Sequence, residues 1–344
     1  MLKDNSIDSL LKKSIQVKRY LPKNFSETDI GLFEHEFEVC INIPPFLHFK
    51  NIIVDDKGNC YKYFSKNNIN ESKFAKKKSG TRHLLAVFKD LINIVFKRNT
   101  IHLRKVCWIT DDWSNNYFHW FTDVIPKLIY LENQYPEYTV VFSASLLNTY
   151  FIKRSLDFIK LNYASILSYE KVFAKEFIGI PNFAPTGNFL PYFTLLTQRK
   201  FMPGERTATK NIFVKRKLPL NRRVLNEEEI LTIFKKYSFD IIDTEEIEWQ
   251  EQVALFSETK ILIAVHGAAL TNMLYMHKGA KVLELRRADD RKNNCYYSLA
   301  SAMSLDYYYQ LCKVDDSKLD TQHNNFYVDT LLLERNIKAI LSDV

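Results

Sequence analysis

A chain of 344 residues is long for one hydrophobic core, so its length predicts two domains. With 46% hydrophobic and 26% charged residues it matches an ordinary soluble globular protein, and its net charge of +8 points to an anionic partner without choosing among nucleotide phosphates, an acidic glycan, nucleic acid or a membrane surface. The five cysteines (Cys40, Cys60, Cys107, Cys295, Cys312) are odd in number and scattered, which argues against a disulfide framework or a zinc site and fits a reducing compartment.

In chain order, residues 1–20 mix Lys, Asp and Arg with short apolar stretches, so no signal peptide is expected. No apolar run approaches the roughly 18 residues that span a bilayer. Asn24-Phe25-Ser26 and Asn70-Glu71-Ser72 match the glycosylation triplet, which chance explains in a chain without a secretion signal. Pro44-Pro45 breaks any helix, Asp55–Gly58 reads as a turn, and Phe88–Phe96 reads as one strand or two. Lys73–His83 holds a basic cluster, either a solvated loop or a contact for an anionic substrate or lipid surface.

From Leu103 the pattern sharpens. Val106–Ile109 predicts a strand, Asp111–Asn116 a polar loop, and Tyr117–Leu131 a helix despite Pro126. Val140–Phe142 predicts a strand and Leu146–Ile159 a helix. Residues 170–205, rich in Pro, Gly and aromatics, are the expected inter-domain connection. Strands then follow at Ile212–Val214, Phe239–Ile242, Ile261–Val265, Val282–Leu285 and Tyr307–Leu311. Helices alternate with them at Glu227–Tyr237 (Asn226 and Glu229 at capping-box spacing), Glu248–Ser257, Leu270–Met276 and Asn293–Met303. This alternation is the signature of a parallel, doubly wound α/β sheet. Thr330–Leu341 has helical periodicity.

Four places can carry chemistry. His266-Gly267-Ala268-Ala269 leaves almost no side-chain bulk between strand and helix, so phosphates could approach the backbone at a helix N-terminus; a tight turn with a structural His266 is the alternative. Glu284 sits in an apolar strand, where it could accept both hydroxyls of a ribose or pair with Arg286 or Arg287. Lys215-Arg216-Lys217 and Arg222-Arg223 flank a loop at the C-terminal edge of the same sheet, as pyrophosphate donors or as a solvated basic loop. His119 and Asp123, four apart on one helix, can hydrogen-bond as a general-base pair. No GxSxG, Walker loop, catalytic cysteine setting or metal-ligand spacing is present.

Three blocks, NYFHWFTDVIPKL (Asn116–Leu128), VKRKLPLNRRVLNEEEI (Val214–Ile230) and VHGAALTNMLYMHKGAKVLEL (Val265–Leu285), carry a further likeness. In this order they resemble the glycosyltransferase family 61 proteins, whose bacterial members often appear among capsular and other surface-polysaccharide enzymes. The third block departs from the family's HGAGLTN at Ala269. The resemblance implies a GT-B-like α/β fold, two Rossmann-like domains facing a cleft. On this reading residues 1–200 form the N-terminal acceptor-side domain and 201–325 the nucleotide-sugar-binding domain, with a helix in 326–344 packing back on the former. It implies inversion at the anomeric carbon with no obligatory metal or other cofactor. Carried to this sequence, the donor site comprises Arg216, Arg222, Arg223, His266, Gly267, Ala268, Ala269, Leu270, Thr271, Asn272 and Glu284. Asp123 becomes the first choice of base, with His119 positioning it or sharing the proton; the reverse assignment stays open.

The expected function is transfer of a sugar from a nucleotide-sugar donor to a hydroxyl of a glycan acceptor in surface polysaccharide biosynthesis, in the cytoplasm. A lipid-linked acceptor at the inner face of the cell membrane would suit a basic peripheral protein. The rivals are a nucleotide-sugar-binding scaffold without turnover and a nucleic-acid-binding protein. The aromatics fall largely in apolar-periodic stretches, where core packing accounts for them, so no nucleic acid is expected.

Overall fold

The computed structural model describes residues 14–62, 99–202, 204, 206–216, 223–288, 290–315 and 324–342. The basic cluster Lys73–His83, the Asn70 triplet, the strands expected in Phe88–Phe96, and Lys217 and Arg222 of the basic loop lie outside the described residues. Two compact units divide the chain: Asn42–Phe183 belongs to one, and Ser14–Ile41 with the chain from Ala184 onward forms the other.

An N-terminal strap, 14–41, opens the second unit. It contains β1 (Ile15–Lys18), α1 (Ile30–Phe37) and β2 (Glu38–Ile41), with β1 and β2 paired antiparallel. Phe33 of α1 is fully buried, edge-on to the rings of Tyr297 and Tyr309 at centroid distances of 5.2 and 4.9 Å. The Asn24 side chain donates to the Tyr309 carbonyl (2.7 Å) and accepts from the Tyr309 N–H (3.1 Å). The strap is thus part of the second unit's core, although the first unit follows it in sequence.

The first unit holds β3 (Leu47–Asp55), β4 (Cys60–Lys62), β5 (Thr100–Trp108), β6 (Thr139–Ser143), β7 (Tyr163–Ile166) and β8 (Lys171–Gly179), ordered β4-β3-β8-β5-β6-β7. Strands β8, β5, β6 and β7 are parallel, and β3 and β4 add antiparallel at one edge. The turn expected at Asp55–Gly58 is there: the Asp55 carboxylate accepts the N–H groups of Lys57 and Asn59. Gly58 has φ +75°, and a Cβ on it would fall 2.2 Å from the Trp108 ring, so only glycine fits. The stretch 170–205 is not simply a connector. Its first part is β8, a central strand with Val172 and Ala174 alternating into the core, and the boundary between units falls after Phe183. The prolines and glycines that suggested a linker all lie beyond that strand, apart from its terminal Gly179.

Between β5 and β6 the helical segment runs as one α-turn (Tyr117–His119), a π-turn (Trp120–Val124) and α2 (Ile125–Gln134). Pro126 explains the interruption. It has no N–H for the carbonyl of Thr122 four residues earlier, and its ring crowds that carbonyl; a turn with i→i+5 spacing accommodates both. Between β6 and β7 the predicted helix is shortened to a 3₁₀ turn (Leu146–Asn148) and α3 (Tyr150–Leu156).

The rest of the second unit opens on a helix not foreseen, α4 (Pro191–Phe201), and then alternates as predicted through β9 (Lys210–Val214), α5 (Glu227–Lys236), β10 (Asp240–Ile242), α6 (Trp249–Ser257), β11 (Thr259–Val265), a 3₁₀ helix (Ala268–Tyr275), β12 (Lys281–Arg287), α7 (Cys295–Ala302) and β13 (Asp306–Val314), before β14 (Phe326–Tyr327), also not foreseen, and α8 (Thr330–Ser342). The sheet order is β10-β9-β11-β12-β13-β14, parallel except for β14. The crossover after β11 is 3₁₀ where an α-helix was expected.

The C-terminal helix α8 was expected to pack back on the N-terminal domain. Its Leu333, Ile337 and Ile340 instead join Phe213, Phe234 and Ile263 in the core of the second unit. Lys281, on β12, caps it by donating to the Ile340 carbonyl (2.9 Å).

Because the strap supplies a core side chain, Phe33→Ala should destabilise the second unit by about 3–5 kcal/mol. Denaturant unfolding followed by Tyr and Trp emission checks this; a loss below about 1 kcal/mol would mean that the strap is a peripheral attachment.

Candidate active site

In a parallel sheet, a ligand crevice opens where two neighbouring strands send their chains in opposite directions. In the second unit that point lies between β9 and β11, since β9 leads to β10 on one side and β11 leads to β12 on the other. Arg216 follows β9 and His266-Gly267 follows β11, so both stand at the C-terminal ends of these strands. A Cβ built on Gly267 would lie 3.6 Å from Arg216 Nη2 and 3.7 Å from its Cζ, so the guanidinium faces the glycine with room for no more than a methyl group between them. The first hydrogen bond of the 3₁₀ helix runs from Leu270 N–H to Gly267 O (2.9 Å), so the amides of Ala268 and Ala269 precede the helix's own bonding.

The segment divides in two by exposure. His266–Ala269 are partly exposed, whereas Leu270, Thr271 and Asn272 are buried. Asn272 donates to Gln252 Oε1 (3.1 Å), and Gln252 donates to the carbonyls of Thr244 and Ile247. These buried residues therefore anchor the turn to α6 and the loop before it. Arg223 is exposed, its backbone tied to Asn325 and Phe326.

Glu284 does not stand open to the ribose hydroxyls expected of it, and of the two expected arginines the charge of Arg286 bears on it. It is 0% exposed, and its two carboxylate oxygens are both occupied. One accepts from His266 Nδ1 and the other from the Tyr307 hydroxyl (2.6 Å). Burial alone would raise the Glu284 carboxyl; the charge and hydrogen bond of His266, the charge of Arg286 and the Tyr307 hydroxyl together hold it below its ordinary range. Its evident work is to fix the imidazole orientation. Nε2 of His266 meets the Asn293 amide nitrogen at 3.1 Å, and the Tyr296 ring stands edge-on at 5.0 Å.

The loop carrying Asn293 is held by Arg286, which donates to Asn294 Oδ1 (2.8 Å) and the Asp290 carbonyl (2.8 Å) and lies over the Phe33 ring. Asn294 in turn donates to the Leu32 carbonyl of the strap (2.8 Å). Tyr307 and Asn293 carried no motif and escaped the sequence reading.

In the first unit β5 and β8 are parallel neighbours, and β8 is the sheet's last strand. Lys127 spans their ends: its buried Nζ donates to the Ile109 carbonyl just past β5 (2.5 Å) and to Asn182 Oδ1 just past β8 (2.7 Å). Burial pushes this ammonium down to about 8, against the pull of Asp123 and Asp111. Sequence reasoning missed Lys127 as well; the available signal was a lysine among apolar residues on a helix.

His119 and Asp123 meet as predicted, Nδ1 to Oδ2 at 2.9 Å. The second carboxylate oxygen faces the Thr122 hydroxyl at 3.3 Å, and Asp123 is buried while His119 is partly exposed. Nδ1 being occupied, Nε2 is the imidazole nitrogen available for chemistry. Among the described residues, no group of three His, Cys, Asp or Glu side chains is placed to hold a metal ion.

Comparison with known proteins matches residues 117–283 to the family model described as Glycosyltransferase 61. Curated relatives are named EGF domain-specific O-linked N-acetylglucosamine transferase. The one from Drosophila melanogaster is 36% identical over 89 residues, covering 25% of this chain and 17% of the relative. Those from Gallus gallus and Mus musculus are 32% identical over 91 residues, again covering 25% of this chain and 17% of theirs. The matched stretch is thus a small part of those proteins. These matches support a glycosyltransferase of family 61. The family match begins at the helical turn that carries His119 and runs into β12, so it includes every site residue named above between Tyr117 and Gly267.

Lys127 gives a pH-dependent test. Its folded pKa is depressed below the unfolded value, so between about pH 8 and about pH 10.4 the unfolded chain binds the extra proton. Stability contributed at this site therefore rises with pH across that window. Wild type should gain on the order of 2–4 kcal/mol over Lys127→Met between pH 7.5 and 10, read as the change in the difference of their urea midpoints. A difference that stays flat would mean that Lys127 keeps its proton when buried.

Proposed function

We propose that this chain is an inverting glycosyltransferase that moves a sugar from a nucleotide-sugar donor to a hydroxyl of an acceptor by one in-line displacement. The observation that carries the reading is the pairing of Arg216 with Gly267 at the reversal point of the second sheet, inside the region that matches the family. In this reading the two units are the two Rossmann-like domains of a GT-B enzyme. One supplies the base and the other the donor site.

The donor diphosphate meets the Arg216 guanidinium and the leading amides of the 3₁₀ helix, fixed donors aimed at an anion. His266, oriented by buried Glu284 through Nδ1, accepts the Asn293 amide at Nε2, and the amide's second N–H adds a donor beside them. Leu270, Thr271 and Asn272 act from beneath, holding the turn in place. As the anomeric carbon–oxygen bond breaks, its electron pair passes to the diphosphate oxygen, and these groups stabilise the charge that develops there. No step is assigned to a metal.

The acceptor hydroxyl gives its proton to a base as its oxygen bonds to the anomeric carbon on the opposite face. Asp123 was the first choice from sequence. Its burial and its bond to Nδ1 favour the reverse assignment: His119 Nε2 takes the proton, and Asp123 fixes the imidazole and stabilises its charged form. The acceptor is a glycan in surface polysaccharide biosynthesis, and a lipid-linked one would place this basic protein at the inner face of a membrane. The relatives' name points to a protein acceptor instead. Transfer to glycan or to polypeptide distinguishes the two.

Two outcomes are expected. Asp123→Asn and His119→Gln should each lower turnover on the order of 10²–10⁴-fold while leaving nucleotide affinity unchanged. Near-normal turnover in either variant removes that residue from its role. Arg216→Ala should weaken binding of the matching nucleoside diphosphate roughly tenfold to a hundredfold in calorimetric titration, and unchanged affinity would displace the donor site from this crevice.

A further inference from the structure

The loop between β5 and the Tyr117 turn exposes a tryptophan that the fold does not need exposed. Trp113 is 65% accessible, whereas Trp108, Trp120 and Trp249, the chain's other three, are 2% exposed or less. A singly exposed apolar side chain is ordinary on a protein surface; what sets this indole apart is the closed loop that holds it and the imidazole beside it.

Loop disorder does not account for it. Asp111 Oδ1 accepts the Trp113 N–H (3.0 Å) and the Ser114 hydroxyl (2.9 Å), and Ser114 Oγ accepts the Asp111 N–H (2.9 Å). The Trp113 carbonyl accepts the Asn116 N–H (2.9 Å), and Asn116 Oδ1 caps the following helical turn through Phe118 N–H (2.9 Å). Ser114 is buried. The loop is therefore closed on itself around a buried serine, with the indole held outside.

Trp113 also stands where a substrate would pass. Its ring centroid lies 5.9 Å from that of His119, with the planes inclined by 35°. His119 Nδ1 is bound to Asp123, so the nitrogen left for a ligand belongs to the ring beside the indole. An aromatic face next to a proton acceptor is what a pyranoside needs. The C–H-bearing face of a sugar packs on an indole, and its hydroxyls, at the ring edge, then meet the imidazole.

The geometry points to Trp113 as the platform of a saccharide subsite, on which the acceptor's pyranose ring stacks so that a ring hydroxyl is presented to His119. This rests on the glycosyltransferase reading and deepens it: the acceptor is engaged through a sugar ring rather than through a peptide backbone. A polypeptide acceptor would be held by strand pairing or side-chain pockets, and loss of the indole would then cost it little.

The test uses the site's own signal. Because the other three tryptophans are buried, iodide-quenchable emission belongs to Trp113, and Trp113→Phe should abolish it. Methyl β-glucopyranoside, methyl β-galactopyranoside and methyl N-acetyl-β-glucosaminide are titrated into the full chain, with each nucleoside diphosphate tested separately by thermal shift. At least one glycoside should protect the emission from iodide. By saturation-transfer NMR, the same glycoside should bind Trp113→Ala at least tenfold more weakly, with Trp113→Tyr recovering most of the affinity. If a nucleoside diphosphate stabilises the protein but no glycoside protects Trp113, the platform is wrong and the glycosyltransferase reading stands. If neither binds, both fall. Transfer to a polypeptide at equal rate in wild type and Trp113→Ala would also overturn the platform.

Discussion

The second sheet reverses its direction of growth between β9 and β11, where neighbouring chains leave in opposite directions and no crossover covers the gap, and that reversal constrains what is built above it. In the first sheet β5 leads away to β6 and β8 is the last strand, so the ends of these parallel neighbours stand side by side with a gap of their own. The second unit lines its gap with a guanidinium against a glycine and with the leading amides of a 3₁₀ helix. The first unit bridges its gap with the ammonium of Lys127, which ties the ends of β5 and β8 together. One gap is left able to receive an anion; the other is braced from within.

Each arrangement then has to settle a charge in a low-dielectric place. A lone carboxylate at Glu284, fully enclosed in the sheet, would be costly, and three groups from three elements offset it: His266 after β11, Arg286 on β12 and Tyr307 on β13. That compensation couples the chemistry to the architecture. The imidazole cannot turn without leaving the carboxylate short of a partner, and Arg286 extends the coupling through Asn294 to Leu32 and Phe33 of the strap. The strap therefore supports the site from a distance, in the same unit, although the whole first unit separates it from these residues in sequence.

Most of the second unit was legible because period and punctuation agree there. The strand of Ile261–Val265 stops at His266-Gly267, and the helix of Glu227–Lys236 opens on three acidic residues. What could not be read were features decided by tertiary geometry. The crossover after β11 is 3₁₀ rather than α, a difference that apolar spacing does not report. Strand β8 was hidden by the prolines that follow it. The strap's membership of the second unit is a long-range fact with no local trace. At the site, the His119–Asp123 spacing survived because a helix fixes i, i+4 neighbours, even through the π-turn that Pro126 imposes. Glu284 was recognised as an anomaly, but its partners lay on other strands, so its role came out differently.

Lys127 shows how closely such partners can be bound together. A buried lysine loses the water around its ammonium, and here the replacement comes from the Ile109 carbonyl, from Asn182 Oδ1 and from the fields of Asp123 and Asp111. Ile109 ends the strand run, Asp111 closes the loop that holds out Trp113, and Asp123 lies in the π-turn and orients His119. A neutral side chain of the same length could fill the space, but it would leave the Ile109 carbonyl and Asn182 Oδ1 without their donor. The ammonium thus ties the ends of β5 and β8 by hydrogen bonds, and its field reaches the carboxylates of the loop that holds out Trp113 and of the turn that orients His119.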